Sequence, residues 1–266
     1  MRIAILGSGS RGNALVVESG GRRILIDAGF SCRELERRMG AVGVAPETIS
    51  ALVVTHEHSD HVRGAERFAR RHRVPAWATG GTLESGARGL PNGGGNGHGD
   101  GAPVHRLVSG VPAEVAGFQV EPFAVPHDAR EPVGLAVEDS AGRRLGLAAD
   151  LGSRSRLAWA RLSGVDCLIL ETNHDLGMLR SGPYPWALKQ RIAGSHGHLS
   201  NEDAAGGLPE LVSDRLQWVV LYHLSQTNNS PALAADSVGE ALAREGCPAR
   251  VALTEQDRPT PWLEVF

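Results

Sequence analysis

The sequence predicts a mixed α/β fold, a sandwich of two sheets covered by helices within one domain spanning residues 1–266. Two strand-rich halves, each with helical patterns, predict the layers, and no composition break marks a linker between them. Length and composition agree, since 266 residues with 41% hydrophobic and 21% charged residues suffice for one sizeable core.

In the first half the runs RIAIL, ALVVES, RRILID, ALVVT and VPAWA read as strands, each bounded by Gly, Pro or polar residues. SCRELERRMG reads as a helix with Ser31 as N-cap and Gly40 at its end. VRGAERFARRH reads as a second helix. Residues 86–112, including GARGLPNGGGNGHGDGAP, are glycine-rich and polar, so a mobile loop is expected, with His98 a solvated loop residue. In the second half FQVEPFAV, VGLAVED, RRLGLAAD, DCLILET, QWVVLYH and RVALT read as strands. NEDAAGGLPELV and PALAADSVGEALAREG read as helices.

The net charge of −3 and a pI near 6.4 announce no global nucleic-acid or membrane-surface binder, although a local basic rim remains compatible with them. Arg supplies nearly all the basic charge, Lys189 being the single lysine. Three scattered cysteines form no metal-ligand or disulfide pattern, which suits a reducing cytoplasm. MRIAILGSGSRGN breaks too early for a signal peptide, and no run approaches the about 18 apolar residues of a membrane span. A cytoplasmic protein with no membrane partner is expected.

GSGSRG after the first strand matches the dinucleotide-binding pattern G-x-G-x-x-G. That motif requires a helix next, and ALVVES is a strand, so the glycines form a strand–turn–strand bend. Backbone amides of such a turn can still face a phosphate, which makes Ser10 and Asn13 candidate substrate contacts.

Eleven histidines, several in tight groups, carry the strongest signal. VVTHEHSDHV places His56, His58, Asp60 and His61 directly beyond an apolar strand. His56 and His58, at i and i+2, point to one side of an extended chain and can hold one cation. Asp60 and His61 fall where the chain turns into a helix and can address a second. Imidazole with carboxylate suits zinc, manganese or iron. A polar surface loop is the bland alternative, and three histidines with an aspartate in this spacing argue against it.

THEHSDH resembles the T-H-x-H-x-D-H signature of the metallo-β-lactamase-fold hydrolases. The resemblance implies a four-layer αββα sandwich with a dinuclear metal site at one end. It matches Asp27 of ILIDAG to a structural carboxylate that supports the metal-binding loop. His127 of AVPHDAREPVG matches the third histidine of the first site, Asp150 of LGLAADLG the bridging carboxylate, and His223 of VVLYHLSQTNN the last ligand of the second site. By this resemblance His56, His58 and His127 hold one metal, and Asp60, His61 and His223 the other. Two divalent ions, Zn²⁺, Mn²⁺ or Fe, are the implied cofactors.

DCLILETNHD and GSHGHLSNEDAA further resemble motifs of the phosphodiesterase branch, known from tRNA 3′-processing nucleases. There a glutamate and a histidine form a proton-donating pair, matched here by Glu171 and His198; with Asp60 they are the catalytic candidates. HLSNEDAA also reads as a capped helix, with Ser200 or Asn201 as N-cap. ETNHDLGMLRSGPYPWALKQRIAGSHGHLSN and YHLSQTNN resemble the bacterial YycJ/WalJ group of the superfamily. Membership implies a cytoplasmic, metal-dependent 5′-to-3′ exonuclease on double-stranded DNA, with a place in DNA repair. Tyr184, Trp186, Lys189 and Arg191 could form a DNA-facing ledge, or a packing segment with Trp186 in the core. His174 has two readings, a partner of a metal ligand or a substrate contact, and His196 reads as a loop residue. The alternatives to a DNA nuclease are a small-molecule phosphodiesterase, a glyoxalase-type thioester hydrolase, and a non-catalytic scaffold. The full ligand set argues against the last.

Overall fold

The computed structural model describes residues 1–85 and 102–266. The first sheet is built from β1 (Arg2–Gly7), β2 (Ala14–Ser19), β3 (Arg22–Ile26), β4 (Ala51–Val53), β5 (Ala76–Thr79) and β6 (Val104–Leu107). The second holds β7 (Ala113–Val115), β8 (Phe118–Ala124), β9 (Val133–Glu138), β10 (Arg144–Ala148), β11 (Cys167–Glu171), β12 (Trp218–Tyr222) and β13 (Arg250–Leu253). The C-terminal β14 (Leu263–Glu264) returns to pair antiparallel with β1. The strand orders are β14-β1-β2-β3-β4-β5-β6 and β13-β12-β11-β10-β9-β8-β7.

Alternation along the strands assigns each face. Ile3, Ile5, Leu15, Val17, Ile24 and Ile26 of the first sheet meet Leu135, Val137, Leu145, Leu147, Ile169 and Val220 of the second in one apolar layer. The intervening residues Leu6, Val16 and Leu25 point outward, under helices α1 (Cys32–Ala41) and α3 (Ala65–His72). Leu168, Leu170, Val219 and Leu221 point outward on the other side, beneath α5 (Arg156–Leu162), α8 (Asn201–Gly207) and α9 (Pro231–Arg244). Covered on both faces, β3, β11 and β12 read as near-continuous apolar runs, as parallel strands do. The layers are helix, sheet, sheet, helix. Four short helices, α2 (Ser59–Val62), α4 (Gly80–Glu84), α6 (Leu176–Ser181) and α7 (Trp186–Ile192), sit in the connections.

Most expected elements are present. The glycine bend joins antiparallel β1 and β2, as the strand after it requires. Ser31 caps α1 by accepting from the Glu34 amide, but the helix runs past Gly40 to Ala41, and the left-handed residue is Gly43 at φ 72°. The VRGAERFARRH helix is split, because Arg63 and Gly64 separate α2 from α3. The expected loop over 86–112 is too long at its end: Val104–Leu107 forms β6, hydrogen-bonded parallel to β5. Its remainder at 86–101, with His98, lies outside the described residues.

Strands β3 and β4 run together, and β8, β10, β11 and β12 share one direction in the second sheet. Their C-terminal ends therefore collect at one end of the sandwich, where Asp27, His56, His127, Asp150, Glu171 and His223 lie. Gly29 locks two of these segments. A Cβ there would collide with the Asp60 carbonyl, while its own amide bonds the Asn13 carbonyl at 3.0 Å. Gly29→Ala is expected to cost about 3 kcal/mol in chemical denaturation, at the upper end of overpacking effects; a loss under about 0.5 kcal/mol would show that the two loops are not locked together.

Candidate metal centre

Two groups of donors that share a carboxylate converge at this end, beside a third formed by Glu171, His198 and His223. His56, His58, His127 and Asp150 offer ligand atoms within 4.8 Å of one another, and so do Asp60, His61, Asp150 and His223. Asp150 belongs to both, as a bridging carboxylate would. These are the seven residues expected from sequence, brought together from both sheets.

Hydrogen bonds set which imidazole nitrogen faces inward. His61 Nδ1 donates to Asp27 Oδ2 at 2.7 Å, His127 Nδ1 to the Gly197 carbonyl at 3.0 Å, and His223 Nδ1 to Glu171 Oε1 at 2.9 Å. Each leaves Nε2 pointing into the cluster, a tautomer choice made by the partner behind the ring. Inside, the donor atoms of the two groups crowd together. His127 Nε2 lies 3.1 Å from His58 Nδ1, and His223 Nε2 lies 3.3 Å from Asp60 Oδ2. His56 Nε2 and Asp150 Oδ1 are buried with no hydrogen-bond partner among the described residues. A buried nitrogen or oxygen without a partner is costly unless a cation satisfies it. The donor set, nitrogen and oxygen without sulfur, fits a divalent metal pair.

The electrostatics separate the two groups. Burial pushes His56 and His127 below the usual imidazole range, so both are neutral and ready to coordinate. Burial would also lower His61 and His223, but their carboxylate neighbours win. Asp150, Asp27 and Asp60 hold His61 well up, and Asp150, Asp60 and Glu171 raise His223 to about 10. In the protein alone, protons occupy the second group where a cation would sit.

Backbone strain marks the same place. Asp27 and His223, each directly after a strand, both adopt φ 58°, in the left-handed region that non-glycine residues enter at a cost. Asp27 is held there by three donors: the Thr55 amide, the Thr55 hydroxyl and His61. The Ser8 hydroxyl accepts from the His223 amide at 2.8 Å.

Glu171, fully buried, makes four contacts. Its Oε1 accepts from His198 Nδ1 at 2.7 Å and from His223 Nδ1 at 2.9 Å. Its Oε2 accepts from the Leu151 and Leu199 amides at 2.7 and 3.1 Å. His198 is partly buried and faces a cavity of about 200 Å³ that Ser10, Tyr184 and Arg191 also line. Burial would lower His198, but the Glu171 carboxylate raises it above the ordinary imidazole value.

The other expected contacts are placed differently. Asn13 is fully buried, and its Nδ2 lies 3.2 Å from Asp60 Oδ2 and 3.1 Å from His61 Nε2, so it forms the wall behind the donors. Trp186 is 71% exposed on α7, outside any core, which removes the packing alternative. Lys189 Nζ donates to the Arg180 carbonyl at 2.7 Å. His196 is exposed; His174 is buried, and neither of its ring nitrogens has a hydrogen-bond partner among the described residues.

Three participants escaped the sequence reading. Asp128 lies 3.4 Å from His127 Nε2 and pairs with Arg191 at 2.7 Å, tying the cavity wall to the first donor group. Its signal was adjacency to His127. Asn173 Nδ2 donates to the His223 carbonyl at 2.9 Å, and Ser8 is the other hidden support. Both stand in motifs noted for other residues.

With His223 raised to about 10 by its carboxylate neighbours, a bound cation competes with its proton. Calorimetric titration with Zn²⁺ at pH 7 in buffers of different ionisation enthalpy is expected to show release of at least one proton, with affinity climbing as pH rises towards 10. A binding enthalpy independent of buffer would overturn this picture of the second group.

Comparisons with known proteins agree with the geometry. Residues 22–223 match the β-lactamase superfamily domain. The chain is 34% identical to the exodeoxyribonuclease YycJ of Bacillus anthracis, over 92% of this chain and 90% of that protein. It is 32% identical to the exodeoxyribonuclease WalJ of Streptococcus pneumoniae serotype 2 strain D39, over 99% of this chain and 98% of that one. Among solved structures, the metallo-β-lactamase fold protein YhfI of Bacillus subtilis superposes with a TM-score of 0.73 at 14% identity, covering 97% of this chain and 98% of that one. With residues 22–223, most of this chain, matched by the domain and two sheets that share the fold, the chain belongs to the β-lactamase superfamily.

Proposed function

We propose that this chain is a dinuclear metal-dependent phosphodiesterase that degrades DNA. The observation that carries the reading is His198, held by Glu171 at the mouth of a cavity beside the metal donors. His56, His58 and His127 would hold one divalent ion, Asp60, His61 and His223 the other, and Asp150 both. When bound, such a pair supplies Lewis-acid stabilisation of the reacting phosphate and lowers the pKa of water.

The protein's own part is proton transfer and positioning. Glu171 accepts the Nδ1 proton of His198, which leaves the Nε2 proton free to be given away. Raised by that carboxylate, the imidazolium persists towards neutral pH and can protonate a departing alkoxide. A phosphodiester needs this more than a thioester does, because an alkoxide is the poorer leaving group. The same Glu171 oxygen holds His223, so donor group and acid are aligned by one side chain. Arg191, fixed by Asp128, and Tyr184 offer a charge and a ring at the cavity wall.

The names of the relatives support DNA as the substrate. The 5′-to-3′ polarity on duplex DNA, a role in DNA repair, a cytoplasmic location and Zn²⁺ or Mn²⁺ as the ions belong to the same proposal and rest on the resemblance. Among the described residues no helix is long and apolar enough to cross a membrane.

Metal-reconstituted protein is expected to release nucleotides progressively from linear duplex labelled at its 5′ ends. His198→Ala should slow this about 10²–10⁴-fold at unchanged metal content, the usual worth of a general acid. Equal loss of metal would make His198 a ligand rather than the acid. Cleavage of bis(p-nitrophenyl) phosphate without digestion of DNA would move the substrate to small phosphodiesters.

A further inference from the structure

Outside the metal centre, arginine is concentrated on one face of the first helical layer. Residues 61–73, HVRGAERFARRHR, hold five arginines against one glutamate, in a chain whose net charge is −3. Arg63, Arg67 and Arg71 recur every four residues, so α3 and the turn before it present them along one face. Arg63, Arg67 and Arg71 line a cleft of about 390 Å³ together with Arg33 from the first turn of α1. Arg67 and Arg71 continue into an adjoining cleft of about 590 Å³ that Arg70 and Glu66 complete.

The charge there is largely uncompensated. Arg33, Arg63 and Arg67 are exposed, and among the described residues their side chains have no ion pair or hydrogen bond. Arg70 pairs with Glu66 at 3.7 Å, and Arg71 with Glu36 at 3.3 Å. A face intended only for solvation mixes its charges, as α1 does where Glu34 pairs with the exposed Arg37. Here three free guanidinium groups converge on one concavity.

The position ties this face to the site. Arg63 is two residues beyond His61, directly after α2. The Ala28 amide bonds the His61 carbonyl at 2.7 Å and the Gly64 amide bonds the Ala28 carbonyl at 2.8 Å, so the arginine cleft and the second donor group share one rigid loop pair. From Arg63 to Arg71 the helical rise spans about 12 Å, enough to meet two or three successive phosphates of one strand.

We propose that Arg33, Arg63 and Arg67 form a second binding surface, which grips the phosphate backbone of duplex DNA away from the bond being cleaved. The inference rests on the DNA-nuclease reading and adds to it an anchor for the uncut part of the substrate. Guanidinium groups suit this role, since each donates in a fork that matches phosphate oxygens and carries no base preference.

The test uses full-length, metal-loaded protein and a phosphorothioate-protected duplex of about 25 base pairs, roughly two helical turns. Anisotropy titrations over a series of salt concentrations compare the wild type with a triple variant, Arg33→Gln, Arg63→Gln and Arg67→Gln. Hydrolysis of bis(p-nitrophenyl) phosphate serves as the control for an intact centre. The variant is expected to bind about tenfold more weakly, with the log–log salt slope smaller by about two to three, while small-substrate hydrolysis is unchanged. The matching Arg→Lys triple variant should recover most of the slope. Equal affinity and slope in wild type and Gln variant, with duplex digested by both, would overturn the anchor and leave the nuclease reading standing. A wild type that neither binds nor digests duplex would overturn both.

Discussion

Two buried carboxylates hold the catalytic end of this protein together. Asp27 follows β3 in one sheet and Glu171 ends β11 in the other, and each is completely enclosed. An isolated carboxylate at such a position would be strongly destabilising, so its hydrogen bonds are obligatory rather than optional. Asp27 spends them on Thr55 and His61, and Glu171 on two amides, His198 and His223. His61, His198 and His223 thus inherit their orientation from charges that cannot move. The left-handed backbone at Asp27 and His223 is the strain that this arrangement sustains.

The sandwich supplies what the carboxylates require. Parallel strands in both sheets deliver chain ends to one rim, and the apolar layer between them keeps the two rims in register. Donors separated by up to 167 residues, from His56 to His223, meet there because the sheets face each other. Burial lowers His56 and His127, whereas carboxylate neighbours raise His61 and His223, so the two halves of the centre differ in how they compete with protons for a cation.

Much of this was legible in the sequence, for identifiable reasons. Strand runs covered on both faces leave an unbroken apolar signature, and THEHSDH concentrates four donors within six positions. The resemblance then located Asp150, His127 and His223, which spacing alone leaves as isolated residues. Three kinds of feature were hidden. β6 lies beside a glycine-rich stretch and its short run VHRL has two exposed residues, so composition masked it. Asn13 looked like a loop contact because nothing local shows that the Asp60 loop closes over it. The pairing of Asp128 with Arg191 joins residues 63 positions apart, and the coverage of Glu171 by two histidines is likewise a property of packing.

The central claim is the proposal that these seven donors would hold two cations, with Asp150 shared between them. Anomalous diffraction from crystals of the protein grown with Mn²⁺ or Zn²⁺ tests it most directly. The account requires two peaks about 3.5–4 Å apart, one against His56, His58 and His127 and the other against Asp60, His61 and His223. A single peak, or metal bound elsewhere with these side chains left uncoordinated, would contradict it.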